Sequence, residues 1–382
     1  IEMQLKHQLD IKNWLMKDKG WQPTMWNLKK DKNNKTLKVD GKVVKTTPKF
    51  HDQGTICPNL ETLKDTDGLV KPIIRWLSLR NRRSVVYNPE KGTGWLSNPR
   101  LKIDGRLPAG ALNITNTHRQ KHKVVANIPR VSSYLGKEMR ELFCAEEGKV
   151  LVGYDASSLE AFIKGHFCFP YEGGEEYFKK ITHPDFDEHQ ATADAWGLAN
   201  RQDAKAGNYG LQYNQGVMGL AETYKIPRSE AKFRYDAYWE INKPWKLCLN
   251  ALEKHWEAIG KKGIKCGVTG HFLHSRSAHS LGSLIAQHTG AIAMDYSLCL
   301  MDRWLGGIKY DAKGLPVYIY KGREVRRVCY YHDEAIFETD SDIAQEILEM
   351  GIRSITKAGE GLKLNVPLSA DGAIGHSWAS IH

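Results

Sequence analysis

No Cys-x-x-Cys pair occurs in this chain of 382 residues. Its seven cysteines (Cys57, Cys144, Cys168, Cys248, Cys266, Cys299 and Cys329) are odd in number and scattered. That argues against a disulfide framework and for reduced thiols in a cytosol-like compartment. No apolar run approaches the length of a transmembrane helix, so no membrane partner is expected. There is no phosphate-binding Gly-x-x-x-x-Gly-Lys-Ser/Thr loop, which weighs against a nucleotide-hydrolysing motor. Internal repeats and low-complexity tracts are absent too. No signal peptide opens the chain, and its first residue is Ile1, not Met. The start therefore reads as a processing site, an engineered boundary or the edge of a larger protein.

What is present is bulk, aromatic residues and positive charge. The length exceeds that of one ordinary domain, so two or three subdomains around a cleft are expected. Eleven Trp, sixteen Tyr, ten Phe and an apolar fraction of 41% suffice for a packed core. The net charge of +11 is uneven: twelve Lys and five acidic residues fall in the first fifty positions. Such a surface suits nucleic acid, because cations on phosphates release condensed counterions, but a solvated lysine-rich face would look the same.

The pattern predicts a helix around Ile11–Met16, a hairpin at Val39–Val43 with an Asp40-Gly41 turn, and a helix from Pro72 after a break at Gly68. Val150–Asp155 reads as a buried strand ending at Asp155, with a helix starting near Ser157–Glu160. Residues 186–260 are mostly helical in pattern, and Leu284–Leu305 is a long buried helix. Short strands flank His332-Asp333-Glu334, and an amphipathic helix opens after Ser341 or Asp342.

Carboxylates that converge from separate rigid elements are what two-metal phosphoryl transfer requires. Asp155 at a strand end and Asp333 in a turn between strands fit that need. Each also has an ordinary reading: Asp155 as a helix cap, Ser157-x-x-Glu160 as a capping box, and Asp333 as a hairpin acid. Arg201, Lys205, Tyr209 and Tyr213 recur every four residues, forming one helical stripe about 18 Å long. Cations at one end suit phosphates, and rings at the other suit base stacking. Gly207 and Gly210 inside this helix suggest close approach of a flat partner. An amphipathic helix with a solvated basic face is the alternative. His271, His274 and His279 match no standard Cys/His metal spacing and read as solvent- or DNA-facing.

Taken together, Asp155-Ala156-Ser157-Ser158-Leu159-Glu160, the Arg201…Lys205…Tyr209-Gly210…Tyr213 helix and His332-Asp333-Glu334 resemble the three motifs of the A family of DNA polymerases. Further similarity lies in Asn116–Arg119 through Asn127-Ile128-Pro129, in Asp187-Glu188-His189, and in Arg276–His279 with Gln287. The ending Ser377-Trp378…His382 and the segment Gly20–Thr24 look like phage replicative members. The resemblance covers roughly residues 110–382 well and the first hundred loosely.

The resemblance implies an α+β right-hand fold: an antiparallel-sheet palm, helical fingers and a partial helical thumb. Residues 1–105 would be partial thumb, 106–167 and 283–382 palm, and 168–282 fingers. It implies DNA-directed DNA synthesis with primer-template DNA and deoxynucleoside triphosphates as partners. Two Mg²⁺ ions, replaceable by Mn²⁺, would be held by Asp155, Asp333 and the Ala156 carbonyl. Glu334 would belong to the catalytic set. Arg201, Lys205 and His189 would grip the triphosphate, Lys205 also protonating the leaving group. Tyr209 would meet the sugar, and Glu160 would exclude a ribose hydroxyl. Tyr213 would occupy the template-base position; His332, Gln287, Arg119 and Arg276 would contact DNA. The expected location is the cytoplasm, a host's if the source is a phage.

Phe162 stands where the family usually has Arg, Asn214 follows Tyr213 where Gly is usual, and Ser283 replaces an Asn. No exonuclease acid set is evident, so no proofreading is expected from this chain, and a separate exonuclease or thumb chain, or a processivity factor, is an expected partner. A non-catalytic DNA-binding subunit and a single-subunit RNA polymerase are the rival readings.

Overall fold

A computed structural model describes residues 8–32, 35–40, 42–52, 55–125, 128–212 and 215–382. Gly41, Asn127, Tyr213 and Asn214, which the sequence reading singled out, lie outside the described residues. The chain divides into two compact units, residues 1–110 with 124–140, and residues 111–123 with 141–382. Residues 124–140, expected with the palm, thus cluster with the first unit.

The first unit is built on helices Gln8–Asp18, Pro58–Thr66 and Val70–Val86. Ile11, Leu15, Leu60, Ile73, Ile74 and Leu77 form its core with Trp21, stacked on Phe50 at 5.7 Å. The last helix starts two residues before the predicted Pro72, which sits in its first turn where a missing N–H costs nothing. Lys38–Val39 pairs with Lys42–Val43 as predicted, Asp40 turning the chain at φ 51°.

The second unit carries a six-stranded, wholly antiparallel sheet beside helices, an α+β architecture. Its strands are β3 (Lys149–Ala156), β6 (Lys309–Tyr310), β7 (Pro316–Tyr320), β8 (Arg323–Tyr331), β9 (Glu334–Asp340) and β10 (Ala370–Gly375), in the order β6-β7-β8-β9-β3-β10. Two short hairpins, β1–β2 (Ala111–Ile114 and Gln120–His122) and β4–β5 (Gly263–Lys265 and Phe272–His274), lie outside it. Val150 through Tyr154 is a continuous buried run, so β3 is central and covered on both faces.

Five helices of this unit matter below: α1 (Leu159–Cys168), α2 (Glu188–Ala195), α3 (Arg201–Gln212), α4 (Leu281–Trp304) and α5 (Ala344–Gly361). Helices α4 and α5 pack with the sheet in one core that includes Val152, Tyr154, Ile163, Met294, Phe337 and Ile347. Gly351 is what lets α5 lie down there: a β-carbon at that position would come 2.3 Å from the Tyr154 ring. The helices of residues 174–258 build a second core around Tyr177, Trp196, Leu211, Leu220 and Tyr238. No helix among the described residues is long and apolar enough to cross a membrane.

Candidate active site

The antiparallel register of the sheet brings the acids together. Strand β3 runs out at its C-terminal end beside the β8–β9 turn, so Asp155 pairs in register with Glu334, and the Ala156 N–H donates to the Asp333 carbonyl at 3.0 Å. On the other side of β3, Asp371 of β10 is the register partner of Asp155. The turn itself has only two residues between Tyr331 and Glu334, and the first, His332, takes φ 62°. A left-handed histidine in so tight a loop is held there by the ladders on both sides.

These acids share a field. Asp155 keeps solvent access, yet its carboxyl is pushed up to about 7, first by partial burial and then by the charges of Asp333, Glu334 and Asp371; His382 pulls the other way. Like charges this close resist ionising together. Glu334 is buried and committed: it accepts a hydrogen bond from Trp378 Nε1 and lies within ion-pair distance of His382 Nε2, each at 2.9 Å. Asp371 accepts one from Ser157 Oγ at 2.5 Å. That bond settles the capping-box alternative, because the Ser157 hydroxyl serves a distant strand. The N-cap of α1 is Ser158, at φ 49° with no side-chain cap bond, which leaves Glu160 outside a capping box. Hard carboxylate oxygens converging at one strand end, with the Asp155 carboxyl raised by burial and by its neighbours' charge, are a donor set that fits a Mg²⁺-like cation.

Glu160, in the first turn of α1, is half-buried. Burial chiefly raises its pKa, with Glu188 and Asp333 adding to the rise and Arg119 and Lys164 opposing it. Arg119 follows the tight turn of the β1–β2 hairpin and also bears on His332 and Tyr330. His332 is held below its ordinary value by burial and then by Arg119. Gln287 lies half-buried on α4, and Arg276 is exposed after β5.

A cavity of about 470 Å³ is lined by Glu160, Asp185, Phe186, Asp187, Glu188, His189, Arg201 and Gln212. Asp187 caps α2, accepting from the His189 and Gln190 N–H groups at 2.8 and 3.1 Å, and its other oxygen pairs with Arg201 Nε. His189 is lowered by burial first, then by Arg201, with Lys205 adding a smaller effect in the same direction. The three expected triphosphate residues are therefore neighbours, and Arg201 and His189 share the cavity wall with Glu160. Tyr209 lies on α3 as expected; its side chain, like Tyr213 as a whole, is outside what is described.

One expectation changes. The glycines of α3 make room for the protein's own side chains: a β-carbon at Gly207 would meet the Trp196 and Tyr224 rings at 2.6 and 2.7 Å, and one at Gly210 would meet Gln215 at 1.8 Å. Phe162, where Arg is usual, packs edge-on against Phe178 with ring centroids 5.8 Å apart. Sequence reasoning missed Asp371 and the ion pair of Lys164 with Glu188 at 3.2 Å, which ties α1 to α2. Asp371 carries no spacing signal, because its partner Asp155 lies more than two hundred positions away.

The family model for DNA polymerase family A matches residues 35–262. DNA polymerase I of Pseudomonas aeruginosa is 26% identical over 297 residues, 69% of this chain and 30% of that protein. The thermostable DNA polymerase I of Thermus aquaticus is 24% identical over 87% of this chain and 39% of its own length. The DNA-directed DNA polymerase of Escherichia phage Phieco32 is 23% identical over 73% and 56%. The chain therefore spans 30% to 56% of the length of these relatives. A solved structure of the POL domain of Pol1 from M. smegmatis, in complex with DNA primer-template and dNTP, aligns with a TM-score of 0.66 at 19% identity, covering 99% of this chain and 62% of that one.

Proposed function

We propose, from the premise that this chain belongs to DNA polymerase family A, that it is the polymerising core of a DNA-directed DNA polymerase and adds deoxynucleotides to a primer 3′ end. The observation that carries this reading is the register that sets Asp155 beside Asp333 and Glu334 at one end of the sheet. Asp155 and Asp333, helped by the Ala156 carbonyl, would hold the cations. When bound, a pair of divalent ions, Mg²⁺ with Mn²⁺ able to substitute, supplies Lewis-acid activation of the primer hydroxyl and neutralises charge on the departing pyrophosphate.

The chain's own groups do the rest. Arg201 and His189, on the cavity wall, bind the triphosphate. Arg201 must share or leave its pairing with Asp187 to do so. Lys205, one turn along α3, donates a proton to the leaving pyrophosphate. Glu160 lies beneath the sugar and leaves no room for a 2′-hydroxyl, which favours DNA over RNA synthesis. Tyr209 meets the sugar, and Tyr213 occupies the template-base position. Arg119, His332, Gln287 and Arg276 contact the primer-template, where the degenerate minor-groove acceptors permit a check of pair shape. Glu334, bound to Trp378 and His382, positions Asp333 and Asp155 across the strand pair. In this reading residues 1–105 are partial thumb, 106–167 and 283–382 palm, and 168–282 fingers. Exonuclease parts or a processivity factor come from elsewhere.

Primer extension on a labelled template tests the proposal. Extension with deoxynucleotides and Mg²⁺ is expected, with Asp333→Asn lowering it by roughly a hundredfold or more, since several kcal/mol of transition-state charge stabilisation are lost. Equal extension by Asp333→Asn, or preferential use of ribonucleotides, would overturn it.

A further inference from the structure

Three histidines that the active site does not use converge elsewhere in the second unit. His118 lies in the β1–β2 turn, His271 opens the β5 side of the β4–β5 hairpin, and His288 is on α4. One ring nitrogen from each falls within 4.8 Å of the others. The rings meet edge to face: His118 and His288 centroids are 4.6 Å apart, and each is 5.3 Å from His271. Neither His274 nor His279, the other histidines of the sequence triplet, belongs to this group.

We propose that His118, His271 and His288 form a site for a divalent transition-metal ion of the zinc class, separate from the carboxylate cluster. Two nitrogens bound tetrahedrally at a Zn–N length of about 2.0–2.1 Å lie roughly 3.3 Å apart. His271 Nδ1 and His288 Nε2 are 3.4 Å apart. His288 is fully buried on a helix whose buried face is otherwise mostly apolar, and its Nε2 faces both His271 Nδ1 and the Thr269 hydroxyl. The donor set is three imidazoles with no carboxylate or thiolate, which favours zinc, copper or nickel over magnesium. Thr269 Oγ1, 2.8 Å from His288 Nε2, flanks the ring. His271 is exposed, so a fourth position opens to water.

The location gives the ion a positioning role. His118 precedes Arg119 and His288 follows Gln287, two residues assigned above to DNA contact. A metal here pins the β1–β2 turn and α4 together and fixes both side chains at once.

The test uses the full chain stripped with chelator. Added Co²⁺ should give the intense visible bands of a tetrahedral site, bleached by one equivalent of Zn²⁺. The bands should survive in Asp155→Asn/Asp333→Asn and in His274→Gln, and vanish in His271→Gln with an unchanged far-UV circular dichroism spectrum. His118→Gln supplies a second loss variant should His271→Gln fold poorly. Absence of tetrahedral bands in the unaltered protein, their survival in both His118→Gln and His271→Gln, or their loss in the carboxylate variant would overturn the site. Because the readout is spectroscopic, it is independent of whether the chain polymerises DNA.

Discussion

Asp155 faces Glu334 directly across an antiparallel strand pair, and its carboxyl is raised first by burial and then by the charges of Asp333 and Glu334. With its pKa pushed up to about 7, folded Asp155 binds a proton over a range where the unfolded chain, near 3.9 for an aspartate, does not. Stability changes with pH according to protons bound in the unfolded minus the folded state. Here that difference is negative between about 4 and 7. The metal-free protein should therefore lose stability from this group as pH rises through that window, and Asp155→Asn should remove the loss. Urea midpoints from pH 4 to 7.5 in chelator check this. A midpoint difference between the two proteins that does not change with pH would refute it. A divalent cation competes with the same proton, so Mg²⁺ affinity should rise across the window and level off above 7.

Glu160 is raised in pKa first by burial, with the charges of Glu188 and Asp333 adding to the rise and those of Arg119 and Lys164 opposing it. On the proposed reading it excludes the ribose hydroxyl. Glu160→Ala should then narrow the preference for deoxy- over ribonucleotides by about tenfold or more, ~1.4 kcal/mol or more of discrimination. On the same reading Tyr209 meets the sugar, and easy incorporation of dideoxynucleotides is expected, because its hydroxyl can replace the missing 3′-hydroxyl contact. Competition between deoxy- and dideoxynucleotides in primer extension measures this, with Tyr209→Phe expected to reject the dideoxy form about a hundredfold more strongly. Equal ratios in the two proteins would count against the assignment.

Lys164 is 4% exposed and pairs with Glu188 at 3.2 Å. Burial is the largest effect and would lower its pKa, yet Glu188, Tyr238 and Cys168 together outweigh it and the net shift is upward. Its ammonium also sits 5.5 Å from the Tyr177 ring and 5.8 Å from Trp245. Lys164→Ala leaves Glu188 without its cation and opens space in the core between α1 and α2. A loss of roughly 3 kcal/mol is expected. Lys164→Met with Glu188→Gln should recover part of it, since a paired charge is replaced by matched volume. Denaturant unfolding of the three proteins decides. A loss under about 0.5 kcal/mol for Lys164→Ala would place the pair among ordinary surface ion pairs.

The sequence carried the local facts and left the long-range ones open. A continuous apolar run ending in Asp155 marked a buried central strand, and the flanking β-branched and aromatic residues of His332-Asp333-Glu334 marked a hairpin; both formed as expected. The four-residue recurrence of Arg201 and Lys205 marked a helix, now Arg201–Gln212. Asp371 could not be seen this way. It reaches Asp155 only through strand pairing across the whole unit, and nothing local distinguishes it from a surface acid. The histidine cluster was hidden for the same reason. His118 and His288 come from a turn and a helix 170 positions apart, so spacing drew attention to His274 and His279 instead. The Ser157-x-x-Glu160 pattern was legible but ambiguous, and the hydroxyl's bond to Asp371 decided it.

Gly207 separates two accounts of the α3 helix. If its missing side chain served a nucleotide lying on the backbone, Gly207→Ala would raise KM for deoxynucleotides and leave stability alone or improve it, since alanine favours a helix by about 1 kcal/mol. The packing says otherwise. The added methyl would press on the Trp196 and Tyr224 rings at 2.6 and 2.7 Å. Those rings stand edge to face, 5.7 Å apart. Moreover, Tyr224 Oη accepts from the Gly207 N–H at 2.9 Å and donates to the Asp203 carbonyl at 2.6 Å, so the ring cannot retreat without losing both bonds. Overpacking of this kind costs about 1–3 kcal/mol, more than the propensity gain. Gly207→Ala should therefore lower Tm, while KM measured well below the transition stays within about twofold of the unaltered protein. A KM rise of tenfold at unchanged Tm would return Gly207 to the nucleotide.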